Sequence, residues 1–449
     1  MLNLISNKKQ NKKHNIIFKK LTIEDIEKYY FVSKNKKSLI GLEYERLSLD
    51  KNTFKNASYE KLEKIIKTFA QNNNWELIYD NNIVIGAFCS NSTSISLEPG
   101  CQLEISLAPK EDILSIENEL NKIVSSLDKI ASYYDVIFLG YGISPKSSVD
   151  DINLLKKARY QVMNRYLPSR NYGELSTKMM RQSAGMQINL DYKDEYDAYL
   201  KMKFFNLIMP FMTGLCANSP LENDKISNDK TLRAKIWRYT GSERCNLFYK
   251  NVFNFSFNRK NFYKKYINEI LNVPMIFIER DSKIIEINGK ITFGEFLKNG
   301  YLGYFATIDD YILHQSLCFP DVRMKKYIEI RNHDSSSNEM ALALCALYKG
   351  LVNQDFTKLL KKFNFLKIKD VEKYNTEAIK NGLNFKLNKN MSAWDVVALL
   401  FDISRKNLSS FERGYLEPIF EMIKRRKTSA DYIIQCATNS EELVEFLCY

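Results

Sequence analysis

No stretch of this 449-residue chain approaches the ~18 consecutive apolar residues that a bilayer crossing needs. The N-terminus carries Lys8, Lys9, Lys12 and Lys13 but no apolar core of a secretory signal. Its eight cysteines, Cys89, Cys101, Cys216, Cys245, Cys318, Cys345, Cys436 and Cys448, include no C-x-x-C pair. That spacing fits neither a zinc site nor a disulfide framework, and reduced thiols in a cytosol are the simplest account. Internal repeats and Gly/Ser-rich or Pro-rich linkers are also missing. These absences set the expectation of a soluble, cytoplasmic protein with no membrane partner.

What is present is a globular composition. Hydrophobic residues make up 45%, with 27 Tyr and 27 Phe, which argues against disorder. The net charge is +13, and a basic chain can bind nucleic acid. Here the lysines recur from Lys8 to Lys427 without one concentrated block beyond the first twenty residues. Solvated faces of a Lys-rich composition account for them, so no nucleic-acid partner is expected.

Along the chain, residues 1–20 read as a basic leader and 21–449 as one large α+β domain. Helical spacing predicts helices near Ile23–Tyr30, Tyr59–Asn72, Ile113–Tyr133, Asp194–Gly214, Asn261–Leu271 and Met340–Leu351. From about Ala378 onward the chain reads as mainly helical.

The informative signal has a period of two, since residues two apart on a strand share a face. Glu43 and Glu45 share one in GLEYERL. Ser94, Ser96 and Glu98 alternate with Ile95 and Leu97, and after a Pro99-Gly100 turn Gln102 and Glu104 alternate with Leu103 and Ile105. Gln187, Asn189 and Asp191 oppose Met186, Ile188 and Leu190. In 323–331, Arg323, Lys325, Tyr327, Glu329 and Arg331 oppose Met324, Ile328 and Ile330. One solvated face is ordinary in an antiparallel sheet, but solvent faces are usually dressed with Lys, Thr and Ser. Carboxylates packed together repel unless a cation sits among them, and Mg²⁺ with phosphate oxygens is such a partner. The planar fork of Arg331 suits phosphate oxygens. Pattern alone leaves both a solvated sheet and a metal–nucleotide face open.

These segments resemble the plant-type glutamate–cysteine ligases, of the glutamine-synthetase-like carboxylate–amine ligases. IGLEYE (40–45) is similar to the family's I-G-T-E-x-E, and SISLEPGCQLEISLAP (94–109) to I-S-L-E-P-G-G-Q-x-E-L-S-x-A-P. ARYQVMNRYLP (158–168), MMRQSAGMQINLDY (179–192), ANSPL (217–221) and LRAKIW (232–237) follow in order. So do NVPMIF (272–277), ITFGEFL (291–297), FPDVRMKKYIEIR (319–331) and YLEPIFEMIKRRKTSADYII (415–434). No P-loop, G-x-G-x-x-G or ATP-grasp signature competes.

The resemblance implies a curved, mainly antiparallel sheet with helices on its outer side. It implies that ATP phosphorylates the side-chain carboxylate of glutamate and that cysteine's amine attacks the acyl phosphate, the first step towards glutathione. A related ligase joining glutamate or another acid to a different amine is the alternative. By position, Glu43, Glu45, Glu98, Glu104, Gln187 and Glu329 match metal ligands for two or more Mg²⁺ ions. Arg331 matches an Arg that touches the transferred phosphate, so Glu329 and Arg331 are the catalytic candidates. Trp237, Arg244 and Arg159 match substrate-holding positions. The expected assembly is a monomer or homodimer. Two departures stand out. The family's W-T-D-x-D reads Trp237-Arg238-Tyr239-Thr240-Gly241 here, which puts the amine acceptor in doubt. Cys101 in place of a Gly points to altered loop geometry.

Overall fold

The computed structural model describes residues 20–32, 38–246, 248, 250–253 and 261–448. All but Lys20 of the proposed basic leader therefore lies outside the described residues. Its centre is a nine-stranded sheet. The strands are β1 (Ile40–Asp50), β2 (Glu76–Asp80), β3 (Ile83–Phe88), β4 (Ser94–Leu97), β5 (Leu103–Ser106), β6 (Val136–Leu139), β7 (Gly185–Leu190), β8 (Val322–Met324) and β9 (Ile328–Asp334). Their order is β8-β9-β7-β1-β5-β4-β3-β2, with β6 paired to the second half of β1. Every pairing is antiparallel, as the alternation predicts.

One face of this sheet is apolar. Leu42, Tyr44, Ile95, Leu97, Leu103, Ile105, Met186, Ile188, Ile328 and Ile330 are all buried. Two long helices, α1 (Glu195–Leu215) and α2 (Asn338–Val352), pack near this part of the sheet, α1 against β9 and α2 against β1 and β7. Burying a Leu, Ile or Phe side chain is worth about 1.5–3 kcal/mol, so this layer fixes which strand face is left for polar groups. The helix over Tyr59–Asn73 buries Leu62, Ile65, Ile66 and Phe69 at the predicted spacing and ends on Asn74 in the left-handed conformation. Among the described residues no helix is long and apolar enough to cross a membrane.

Two expectations need correction. The segment 323–331 is a hairpin, β8 and β9, and not one strand. The Lys325 N–H donates to the Tyr327 carbonyl at 2.7 Å to close the turn. Arg323 and Glu329 thus share a face because they are cross-strand partners. Helices also dominate well before Ala378, from Asn338 onward, and a short hairpin of Lys386–Asn388 with Met391–Ser392 interrupts them.

Candidate active site

The register brings the polar residues of four strands into rows. Glu43 of β1 lies between Gln187 of β7 and Ser106 of β5, and Glu45 lies opposite Glu104. Glu329 pairs with Asn189, which in turn pairs with Gly41. Glu98 is in the turn between β4 and β5, and its charge reaches both Glu45 and Glu104.

Four of these carboxylates make a cluster short of cations. Asn189 Nδ2 donates to Glu43 Oε1 at 2.8 Å, the Gly185 N–H to Glu45 Oε2 at 2.5 Å, and Ser106 Oγ to Glu104 Oε1 at 2.5 Å. Among the described residues, Glu43, Glu45, Glu98 and Glu104 form no ion pair. Burial lifts the Glu45 carboxyl to about 7, with Glu98 adding to the effect and Arg233 opposing it. Burial, then Glu98, Glu43 and Glu45, pushes Glu104 well above the carboxylate range.

Glu329 is the opposite case. It is fully buried, yet Arg323 Nε (2.5 Å), Lys325 Nζ (2.7 Å) and Arg331 Nη1 (3.2 Å) all reach it. Burial raises its pKa, but those three cations outweigh burial and hold it well below 4.5. Arg331 Nη1 also donates to Gln187 Oε1 at 2.5 Å, so the oxygen with which Gln187 would bind a metal is engaged here. As the side chains stand, no three His, Cys, Asp or Glu residues among those described converge to ligate one ion.

Beside Arg331 opens a small cleft, lined by Arg233, Trp237, Arg238, Asp321, Asn332 and Asn375 among others. Helix α3 (Leu232–Arg238) supplies its aromatic side, capped by Thr231, whose Oγ1 accepts from the Ala234 N–H. The guanidinium groups of Arg233 and Arg331 each lie 5.8 Å from the Trp237 ring centre. Arg159, on the helix Ala158–Tyr166, stands with buried Lys157 near Glu98. Arg244 lies apart from this cleft and is fully buried. Its Nη1 and Nη2 donate to the carbonyls of Leu317 (3.0 Å) and Pro274 (2.7 Å). All three substrate-holding candidates keep a buried N–H without a partner: Arg159 Nε, Trp237 Nε1 and Arg244 Nε. Orphaned buried donors are rare in proteins, and Arg46 Nε and Arg181 Nε, outside this cleft, share that condition.

Sequence reasoning left several residues at this site without a role. Arg233 sits four residues before Trp237 on one helix face, a signal in LRAKIW that could have found it. Arg323 and Lys325 stood in the alternating run but were assigned nothing. Asp321, just outside a strand, gave no periodic signal. Gln102 leaves the acidic row: its Nε2 donates to the carbonyls of Met180 and Ser183, which fixes the turn. Cys101 sits in the turn between β4 and β5. It takes the left-handed conformation itself, φ 65°, and its N–H donates to the Glu98 carbonyl at 2.8 Å, at a cost of roughly 1–2 kcal/mol for a non-glycine residue. The close approach falls on Gly100, where a Cβ would lie 2.1 Å from the Arg181 carbonyl oxygen. The changed loop after Trp237 places Arg238 at the cleft, near the Glu372 carbonyl and Thr376 Oγ1.

Comparison with known proteins adds independent findings. The family model Glutamate-cysteine ligase family 2 (GCS2) matches residues 39–448. The chloroplastic glutamate–cysteine ligase of Nicotiana tabacum is 30% identical over 428 residues, covering 92% of this chain and 80% of that protein. Its counterpart in Arabidopsis thaliana is 33% identical over 341 residues, 75% of this chain and 63% of that protein. A crystal structure of glutamate–cysteine ligase from Francisella tularensis in complex with AMP superposes with a TM-score of 0.51 at 14% identity, covering 93% of this chain and 91% of that one. That likeness is one of fold. The expected cytoplasmic location is overturned, because these plant relatives are named as chloroplastic. The lysine-rich start and the cysteine spacing do not separate cytosol from organelle.

Proposed function

Since the chain belongs to the glutamate–cysteine ligase family, we propose that it makes γ-glutamylcysteine from glutamate, cysteine and ATP on the acidic face of its sheet. The observation that carries this reading is the cluster of Glu43, Glu45, Glu98 and Glu104, which forms no ion pair among the described residues, beside a cleft that presents Arg331 and Trp237. A structural surface has no use for like charges gathered around half-buried Glu45 and Glu104 and pushing both upward; a site that takes up a divalent cation does.

The donor set fits Mg²⁺, a hard ion that prefers carboxylate and phosphate oxygens. Glu43, Glu45, Glu98 and Glu104 are the proposed ligands, with Glu329 and Gln187 joining once Arg331 turns to phosphate. Bound there, the ion would supply charge that offsets what develops in phosphoryl transfer.

The residues of the chain supply the rest. Arg331, held by Gln187 and Glu329 and stacked near Trp237, is aimed at the transferring phosphoryl group. Glu329 stays ionised and fixes Arg323, Lys325 and Arg331 in place. An oxygen of the glutamate side-chain carboxylate attacks the γ-phosphorus and ADP leaves. The amine of cysteine then attacks the acyl carbon, phosphate departs, and the amine loses a proton. Trp237 forms a wall of the glutamate site and Arg159 is the proposed anchor for a substrate carboxylate, whereas Arg244, buried apart from the cleft, serves by tying the carbonyls of Leu317 and Pro274 together. Arg238 at the cleft is the one feature favouring a second reading, the same chemistry with a different amine.

Purified protein with MgATP and glutamate, offered each amino acid in turn while ADP release is followed, tests the proposal. Cysteine is expected to stimulate turnover most. Stimulation by another amine and not by cysteine would move the assignment to the second reading, and no glutamate-dependent release would remove both.

A further inference from the structure

We propose that Asp334 is a positioning residue. Through two hydroxyl relays it fixes helix α3, and with it Arg233 and Trp237, against the strand that carries Arg331. The inference rests on the ligase reading of the neighbouring cleft.

Asp334 ends β9, three positions beyond Arg331. It is 1% exposed and forms no ion pair among the described residues, and no step of the proposed reaction uses it. A carboxylate buried without a cation is costly unless donors surround it. Three do: the Asn218 N–H (2.9 Å) and Ser219 Oγ (2.6 Å) donate to Oδ2, and Thr231 Oγ1 (2.8 Å) donates to Oδ1. What each hydroxyl accepts settles the direction of its own hydrogen. Ser219 Oγ accepts the Arg233 N–H at 3.2 Å, and Thr231 Oγ1 accepts the Ala234 N–H at 3.2 Å. Each hydroxyl has one hydrogen to give, and both give it to Asp334. Two amides in the first turn of α3 therefore reach the two oxygens of one carboxylate, each through one hydroxyl.

An ordinary helix cap holds one amide with one side chain and leaves the helix free to pivot about that bond. Two attachments remove the pivot. The carboxyl itself has no room to swing, because a Cβ on Gly142 would lie 2.8 Å from Asp334 Cγ. What α3 carries depends on this anchorage. Arg233 Nη2 donates to the Arg331 carbonyl at 3.1 Å, and among the described residues the Arg233 guanidinium has no carboxylate to hold it. The Trp237 ring lies 5.8 Å from the guanidinium groups of both Arg233 and Arg331. Over the roughly 8 Å from anchored amides to ring, a tilt of about 10° displaces the ring by more than ~1 Å. Errors of that size at a reacting centre cost up to about 10²-fold in rate.

The chain has three tryptophans, Trp75, Trp237 and Trp394, so protein labelled with 5-fluorotryptophan gives three ¹⁹F signals, and Trp237→Phe assigns one of them. Asp334→Asn keeps the shape of the carboxyl but sets an amide NH₂ against groups that themselves donate. Thr231→Val cuts one relay, leaves Asp334 in place, and serves if Asp334→Asn does not fold. In both variants the Trp237 signal should shift or broaden while those of Trp75 and Trp394 hold. The kcat/KM for glutamate should fall by roughly ten- to a hundredfold, and Thr231→Ser should keep both at wild-type values. An unmoved Trp237 signal, or three signals that move together as the fold loosens, would overturn the positioning role. So would a displaced Trp237 signal with wild-type kcat/KM. No glutamate-dependent ADP release from the wild-type enzyme would instead remove the reading of the cleft, whereas the fluorine signals report the anchorage without substrate.

Discussion

Replacing Glu98 and Glu329 by Gln should stop turnover in both cases, but with opposite effects on stability. The reason is the different charge around each group. Glu329 is fully buried and compensates three cations, with contacts of 2.5 Å to Arg323, 2.7 Å to Lys325 and 3.2 Å to Arg331. Glutamine keeps the shape and one acceptor but removes the charge, leaving buried cations uncompensated, which costs about 3–5 kcal/mol. Unfolding entropy near Tm is roughly 0.9 kcal/mol per degree for a chain of 449 residues. Glu329→Gln should therefore melt about 3–5 °C below wild type. Glu98 does the reverse, since its charge raises both Glu45 and Glu104. Glu98→Gln relieves that repulsion and should leave Tm unchanged or higher in metal-free buffer. Scanning calorimetry in chelator, with ADP release measured on the same samples, reads both effects. Equal destabilisation of the two variants, or a more stable Glu329→Gln, would refute the division of the face into a cation-poor cluster and a neutralised carboxylate.

Two further outcomes follow from the same electrostatics. The Glu45 carboxyl, lifted to about 7 from an ordinary 4.5, is protonated more readily in the folded chain than in the unfolded one. Its contribution to stability is full below pH ~4.5 and is lost as pH rises through 7, up to about 3 kcal/mol at 1.4 kcal/mol per unit. The depressed Glu329 acts in the opposite sense, but only at pH below ~4.5. In chelator, Tm should thus fall between pH 5 and 8, with a smaller slope in Glu45→Gln, and Mg²⁺ should flatten it; a Tm that rises across this window would contradict the assignment. Arg331→Lys should lower kcat by about 10²-fold or more, because an ammonium lacks the planar fork that can lie over the Trp237 ring and meet phosphate oxygens in pairs. Steady-state kinetics with a near-normal KM for cysteine would support this, and an unchanged kcat would exclude Arg331 from phosphoryl transfer.

Much of this face was legible because side-chain alternation is a local property of the backbone. Glu43, Glu45, Glu104, Gln187 and Glu329 were read onto polar strand faces, and pairing of β5, β1, β7 and β9 places those faces side by side. Alternation does not say which strands are neighbours, and only the folded sheet shows that order. It also does not mark turns, so β8 and β9 were read as one strand. The counter-ions of Glu329 went unassigned for that reason: Arg323 opposes Glu329 across a hairpin. Arg244 shows a different limit. Its spacing from Trp237 matched the family, but only the packed structure shows it spanning the carbonyls of Leu317 and Pro274. Asp321, Asn332 and Asn375 come from separate elements, and no spacing links them.

Isotope transfer tests the central claim most directly. Glutamate labelled with ¹⁸O in its side-chain carboxylate is incubated with cysteine and MgATP, and the released phosphate is analysed by mass spectrometry. If the carboxylate attacks ATP on this face, each turnover moves one ¹⁸O into phosphate, and Glu98→Gln abolishes the transfer. Turnover that yields unlabelled phosphate would contradict the account.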